Sequence, residues 1–276
     1  MFLITGATGN VGTEVVSALA DAGERVRALV HRPDAPLPDG VEPVVGDLSE
    51  PDSLTDAFQG VQGIFLMSGY SDSILARARE AGVRRVVLLS GGSAELEDLD
   101  NAISRYMTLT ERAVRASGLS WTFLRPRAFM SNALAWRPQL QAGDTVRAQF
   151  PKVRAARVDP RDIGEVAARA LTDERHDGRI YNLTGPESLL PAELVAVLAE
   201  VLGRNLRCVE LSNDETRAEL QQGTPPEYID AFFNFYVDGT LDEATIHPDV
   251  SDVTGRPART FRQWAETHAA RFRSAG

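Results

Sequence analysis

The stretch "FLITGATGNVGTEVVSALADAG", Phe2 to Gly23, joins a short apolar run to an amphipathic one through three glycines. "FLIT" (2–5) shows no alternation of apolar and polar residues, as expected of a strand buried on both faces of a parallel sheet. Residues 9–22 have helix-like spacing, with Gly23 at the expected C-cap. Between the two runs, Gly6, Gly9 and Gly12 form a G-x-x-G-x-x-G arrangement. Small residues allow a tight turn and close backbone approach, and amide N–H groups at a helix start attract an anion. A glycine triplet that follows a strand and opens a helix predicts a dinucleotide pyrophosphate site.

The same alternation continues outward. "VRALV" (26–30), "VEPVV" (41–45), "GIFLM" (63–67), "RVVLLS" (85–90) and "WTFLR" (121–125) read as further buried strands. "EPDSLTDAF", "SDSILARAREAG" and "NAISRYMTLTERAVRASG" read as helices between them, with Gly82 and Gly118 as C-caps. This order predicts an α/β fold with a Rossmann-like, doubly wound parallel sheet.

After "LRP" (124–126) the rhythm changes. A helix is expected over 128–142, then "TVRAQF" and "ARV" as short strands, and a helix over 160–171 with Pro160 in its first turn. "RIYNLTG" (179–185) reads as a strand, "PAELVAVLAEVLG" (191–203) as a helix and "LRCVEL" (206–211) as a strand. In the last segment, Thr260 and Gln263 have capping-box spacing. Residues 1–150 are expected to form the NAD(P)-binding Rossmann domain. Residues 151–276 should complete the sheet and build a smaller α/β lobe over the C-terminal strand ends.

Composition excludes several classes. The net charge of −10 lacks the footprint of a general nucleic-acid binder. No apolar run approaches the ~18 residues of a membrane span, and no signal peptide is evident. The single Cys208 rules out an internal disulfide and fits a reducing compartment, so a cytoplasmic location is expected. None of the histidines has metal-ligand spacing, so no metal is expected.

The end of the second strand selects the cofactor. An NAD site usually carries an acidic residue there, whereas this chain has His31 and Arg32, with Asp34 slightly beyond. Arginine can pair with a 2′-phosphate, which favours NADP(H) over NAD(H).

"LITGATGNVG", "VVGDLSEPDSL", "GLSWTFLRPRAFMSN", "VDPRDIGEVAARAL", "YNLTGPESL" and "TGRPARTF" resemble the NmrA-like, atypical short-chain dehydrogenase/reductase family, close to its quinone-oxidoreductase-type members. The resemblance runs nearly end to end. It implies that Gly6, Thr8, Gly9, Asn10, Val11 and Gly12 form the pyrophosphate turn, with His31 and Arg32 at the adenosine phosphate. Asp47 and Leu48 would flank the adenine, and Met67, Ser68 and Gly69 would line the cofactor's middle. Ser90, Gly91, Arg125, Pro126 and Phe129 would lie near the nicotinamide. The chain departs from the family pattern in having His31 where arginine is common, and in a shorter segment after Gly69.

Catalytic members of the wider superfamily place a lysine four residues after the proton-donating tyrosine. Here Tyr106 is followed at that distance by Thr110, and Lys152 is the chain's one lysine. Threonine carries no charge and cannot lower a phenol pKa toward working pH. Tyr106 and Ser90 remain the candidate catalytic residues; Ser93 also has a suitable spacing, and Lys152 is the candidate replacement cation. Such a site suits a quinone-like or conjugated aromatic small molecule, whose reduction leaves a delocalised oxyanion, better than a simple ketone. The alternative is a non-catalytic NADP(H)-sensing regulator acting on a protein partner, with a simple carbonyl reductase third. A homodimer is compatible with either. Trp121, Trp136 and "FFNFY" (232–236) read as core or lid, with "FFNFY" also a candidate substrate wall.

Overall fold

The computed structural model describes residues 1–70 and 73–273. Its strands are β1 (Phe2–Ile4), β2 (Val26–Val30), β3 (Glu42–Val45), β4 (Gly63–Met67) and β5 (Arg85–Leu89), followed by β6 (Ser120–Pro126), β7 (Thr145–Ala148), β8 (Arg179–Leu183) and β9 (Arg207–Glu210). Seven of them form one sheet in the order β3-β2-β1-β4-β5-β6-β8, and every neighbouring pair is parallel. The expected doubly wound sheet is therefore present, and its strand order reverses between β1 and β4. Ligand crevices of open α/β sheets lie at that reversal, beyond the carboxyl ends of the strands.

The side-chain alternation of β1 explains the layers. Phe2 and Ile4 pack with α1 (Gly12–Asp21) and α5 (Pro160–Thr172), while Leu3 faces α2 (Ser73–Glu80) and α3 (Ala102–Ala116). Glycine sets the spacing on the first face, since a Cβ at Gly164 of α5 would lie 2.7 Å from the Glu14 carbonyl carbon of α1. Gly23, Gly82 and Gly118 all adopt positive φ just past helix ends, as expected of C-terminal caps.

A smaller lobe has its own core of Met130, Leu140, Val146, Leu194, Leu198, Phe261, Trp264 and Phe272. It contains the parallel pair β7–β9 and the helices α4 (Arg137–Ala142), α6 (Pro191–Leu202) and α10 (Phe261–His268). The Thr260–Gln263 capping box opens α10 as expected. Between β9 and α10 come three helices not expected from the sequence, α7 (Asn213–Leu220), α8 (Pro226–Tyr236) and α9 (Asp249–Thr254). No helix among the described residues is long and apolar enough to cross a membrane.

Four expectations change. The first helix starts at Gly12 rather than residue 9, because Gly9 N donates to Gly6 O at 2.9 Å and closes a turn instead. The expected helix in "EPDSLTDAF" is a 3-10 turn, Pro51–Leu54, with i→i+3 bonds such as Ser53 N to Glu50 O. Residues 128–142 split into a 3-10 segment, Met130–Trp136, and α4, whose Pro138 has no N–H to continue a ladder. "ARV" forms no strand: Ala156 N bonds Glu243 O and Val158 N bonds Ala128 O, so its hydrogen bonds diverge to different segments. The helix expected over 71–82 is described from Ser73 onward, and the shortened segment after Gly69 lies partly outside the described residues.

Candidate active site

The glycine turn follows β1 directly. Gly6 has φ +59, and a Cβ there would sit 2.0 Å from Met67 Sδ; one at Gly12 would sit 2.0 Å from Gly6 O. Both positions therefore exclude a side chain, and the start of α1 rests on the turn that precedes it. Thr13 Oγ1 braces the turn by donating to Ala7 O at 3.2 Å. Val11 is the N-cap, and its apolar side chain caps no helix N–H. Among the described residues, the amides of Asn10, Val11 and Gly12 have no backbone acceptor. Three free N–H groups at a helix start, on a cradle that a Cβ would fill, fit a diphosphate.

Beside this turn, β2 and β3 end together. His31 and Arg32 are exposed past β2, and the Arg32 guanidinium, 78% exposed, lies 3.9 Å from Asp34, its one ion-pair partner among the described residues. An ion pair that long and that exposed leaves the arginine available. Asp47 is held by Ser49, whose N and Oγ donate to Oδ1 at 2.8 and 2.7 Å. Those bonds pull its carboxyl below the usual aspartate range, with a smaller pull from His31. Leu48 is half-buried next to it.

On the other side of the reversal, Met67 N donates to Thr5 Oγ1 at 2.9 Å, which ties β4 to the first turn. Ser68 and Gly69 follow, Gly69 with φ +92. The structure thus gathers Gly6–Gly12, His31–Arg32, Asp47–Leu48 and Met67–Gly69 along one edge of the sheet. Further along lie Ser90 and Gly91 after β5, then Arg125, Pro126 and Phe129 at the end of β6.

Two of those residues are already committed. Ser90 Oγ donates to Glu111 Oε1 at 2.7 Å, and Arg125 grips the same carboxylate through Nε at 2.8 Å and Nη2 at 2.7 Å. Glu111 is 1% exposed. Burial works against the Arg125 charge, but its bonds to Glu111 prevail and hold its pKa above the ordinary arginine value. Sequence reasoning missed Glu111. On paper it is one more helix carboxylate, and only the folded chain sets it against two strand ends. Ser93 is buried, and its carbonyl accepts from Ser104 Oγ.

Tyr106 lies at the edge of this region. A Cβ at Gly69 would stand 2.9 Å from its hydroxyl, so the phenol caps the end of β4. Burial and the neighbouring Tyr228 raise its pKa above the ordinary tyrosine value. Ser68 pulls the other way, but its buried Oγ makes no hydrogen bond of ordinary geometry. Thr110 offers nothing in place of lysine: its Oγ1 donates to the Tyr106 carbonyl at 2.8 Å.

Just past β6, a cavity of about 360 Å³ opens toward the lobe. Ala128, Asn132 and Trp136 line one side, Phe232 and Tyr236 of α8 another, with Arg157 and Glu243 among the polar groups. "FFNFY" therefore supplies part of a cavity wall through Phe232 and Tyr236. Trp121 instead stacks on Phe123 at 4.2 Å. Lys152 is exposed and lines a different groove, beside Leu211 and Asn213.

Residues 6–174 match the NAD(P)H-binding family. The chain belongs to that family. Over 99% of both chains it is 42% identical to the (4-alkanoyl-5-oxo-2,5-dihydrofuran-3-yl)methyl phosphate reductase of Streptomyces griseus. It is 33% identical to the NAD(P)H azoreductase of Xenophilus azovorans, over 100% of both chains. Its fold overlays the NADPH-dependent quinone oxidoreductase of Escherichia coli with a TM-score of 0.80 at 24% identity, covering 99% of this chain and 100% of that one.

As a member of this NAD(P)H-binding family, the chain is an NAD(P)H-dependent oxidoreductase acting on a small molecule. The resemblance to atypical short-chain reductases holds along its length. Of the two leading readings of the sequence, the enzyme stands.

Proposed function

We propose that the chain is an NADP(H)-preferring reductase of small conjugated acceptors, quinone-like or enone-like, whose reduced form is a delocalised anion. The state of Tyr106 carries this reading. Among the described residues no cation acts on its phenol, and partial burial moves its pKa upward, away from working pH. A positioned general acid is worth about 10²–10⁴ in rate, and a simple ketone forgoes most of that here. A conjugated acceptor needs it less, because charge arriving at one atom spreads over several.

The relatives' substrates fit this chemistry. A 4-alkanoyl-5-oxo-2,5-dihydrofuran has a ring double bond conjugated to two carbonyls, and an azo compound is likewise an electron-poor conjugated system. A bound nicotinamide supplies the hydride. The chain's own residues bind and orient. The amides of Asn10, Val11 and Gly12 hold the diphosphate, Asp47 and Leu48 flank the adenine, and Arg32 receives the 2′-phosphate. Met67, Ser68 and Gly69 line the middle of the cofactor. Ser90 and Arg125 act as positioning residues through Glu111, keeping the ends of β5 and β6 in register. Trp136 and Phe232 give a flat acceptor an apolar surface to lie against. The lone cysteine and acidic charge suit work in the cytoplasm.

The test is NADPH oxidation with 1,4-naphthoquinone, an acyl butenolide, an azo dye and cyclohexanone. Turnover is expected with at least one of the three conjugated acceptors. kcat/KM for cyclohexanone should be at least about 100-fold lower. Equal turnover of cyclohexanone would overturn the reading.

A further inference from the structure

Charges withdrawn from water are normally paired, and Arg27, Arg125 and Arg127 obey the rule. Arg27 bonds Glu42 and three backbone carbonyls, Arg125 bonds Glu111, and Arg127 bonds Glu95. Arg157, half-buried, departs from it. Its Nη1 donates to Leu189 O at 3.1 Å, and no carboxylate among the described residues comes within ion-pair distance. Glu243 is the acid whose field reaches it, but Glu243 Oε2 accepts from Ala128 N at 2.9 Å, and burial favours its neutral form. Arg157 therefore faces the cavity beyond β6 as a cation short of a counter-ion.

The surroundings describe a ligand. Tyr236 brings a phenol that burial keeps protonated, and no hydrogen bond to it is found among the described residues. Trp136, Phe150, Leu194, Leu220 and Phe232 supply apolar walls. A volume of about 360 Å³ exceeds what a bare ion needs and suits a ring or short acyl chain. Arg147 at the same cavity is already neutralised, with its Nε 2.8 Å from Glu219.

We propose that this cavity binds an oxyanion substituent of the substrate, a phosphate monoester or a carboxylate, on the Arg157 guanidinium with the Tyr236 hydroxyl as second donor. The apolar body of the same molecule lies on the aromatic wall. The inference builds on the reductase reading, which supplies the reason for a substrate to enter here. Binding to Arg157 itself requires no turnover.

Isothermal titration of the full chain with 1-naphthyl phosphate, 1-naphthoate and 1-naphthol tests it, with saturating NADP⁺ present to block the glycine turn. At least one of the two anions is expected to bind roughly 10- to 100-fold tighter than 1-naphthol, the span of a charge-assisted hydrogen-bond pair. Whether phosphate or carboxylate leads identifies which group the site takes. Arg157→Gln should erase the preference for the anion, Arg157→Lys should restore part of it, and Tyr236→Phe should weaken it by a smaller factor. Equal affinity of the native chain for anions and naphthol would overturn the proposal, as would an anion preference that survives Arg157→Gln. The first comparison needs no variant, so a misfolded mutant cannot obscure it. A chain that shows the anion preference yet oxidises no NADPH would refute the reductase reading and leave this site in place.

Discussion

Ser90 and Glu111 meet at 2.7 Å, hydroxyl to carboxylate, and through that bond one residue of α3 steadies the end of β5. The same carboxylate receives two bonds from Arg125 at the end of β6, so a single side chain braces two adjacent strands. Glu111→Gln removes the charge that both arginine bonds depend on and leaves the largely buried Arg125 guanidinium without its charged partner. Breaking a buried pair costs about 3–5 kcal/mol. Urea unfolding should show a loss on that scale; a loss under about 1 kcal/mol, the worth of a surface pair, would mean the brace is not structural.

Glu243 gives a pH signature. Burial raises its native pKa above the ordinary glutamate value of 4.5, so the folded chain holds this proton more tightly than the unfolded one. Stability then falls as pH rises from that ordinary value through the raised native one. Glu243→Gln should flatten the fall, read from urea midpoints across about pH 4–8. An unchanged slope would place the pH dependence elsewhere.

The glycine turn predicts a steric effect. A Cβ at Gly12 would meet Gly6 O at 2.0 Å, a backbone atom with nowhere to yield. Gly12→Ala should lower the melting temperature, with overpacking costing about 1–3 kcal/mol. It should also weaken NADPH binding by at least about 10-fold in calorimetric titration, as the amides lose their alignment. Native-like affinity in the variant would remove the turn from the binding site.

Arg32 should separate the two coenzymes. If it holds the 2′-phosphate, Arg32→Ala raises the Kd of NADPH by about 10- to 100-fold, the worth of a charge-assisted hydrogen bond, and leaves NADH unaffected. Equal weakening of both would mean the residue is a general support of the strand end.

Tyr106→Phe tests the missing acid. With a quinone acceptor, kcat should fall by less than about 10-fold, short of the 10²–10⁴ expected for a working general acid. A larger loss at unchanged KM would show that the phenol donates its proton despite its raised pKa.

Local signals carried most of what could be read from the sequence. Gly6, Gly9 and Gly12 revealed the turn because their requirement is steric and contained within a few residues. The buried strands declared themselves by composition. Glu111 and Arg157 did not, since their meaning depends on groups distant in sequence: the strand-end residues that Glu111 braces, and the carboxylate that Arg157 lacks among the described residues. The 3-10 segments Pro51–Leu54 and Met130–Trp136 read as helix because i→i+3 bonding leaves nearly the same apolar pattern over one turn. α7 was legible in principle, since Ser212 and Glu215 form the capping box that opens it. Tyr106 was noticed for its spacing, but its contact with Gly69 needed the fold.

The path of the chain has a consequence for engineering. It leaves the sheet after β6 to build β7, returns for α5 and β8, departs again for α6 and β9, and comes back in α9, where Asp249 Oδ2 accepts from Asn182 N at 2.6 Å. Only then does it finish in α10. Several covalent crossings thus stitch the lobe to the sheet. No single cut would release either part intact, and a swap of lobes between relatives would have to exchange interleaved pieces rather than a tail.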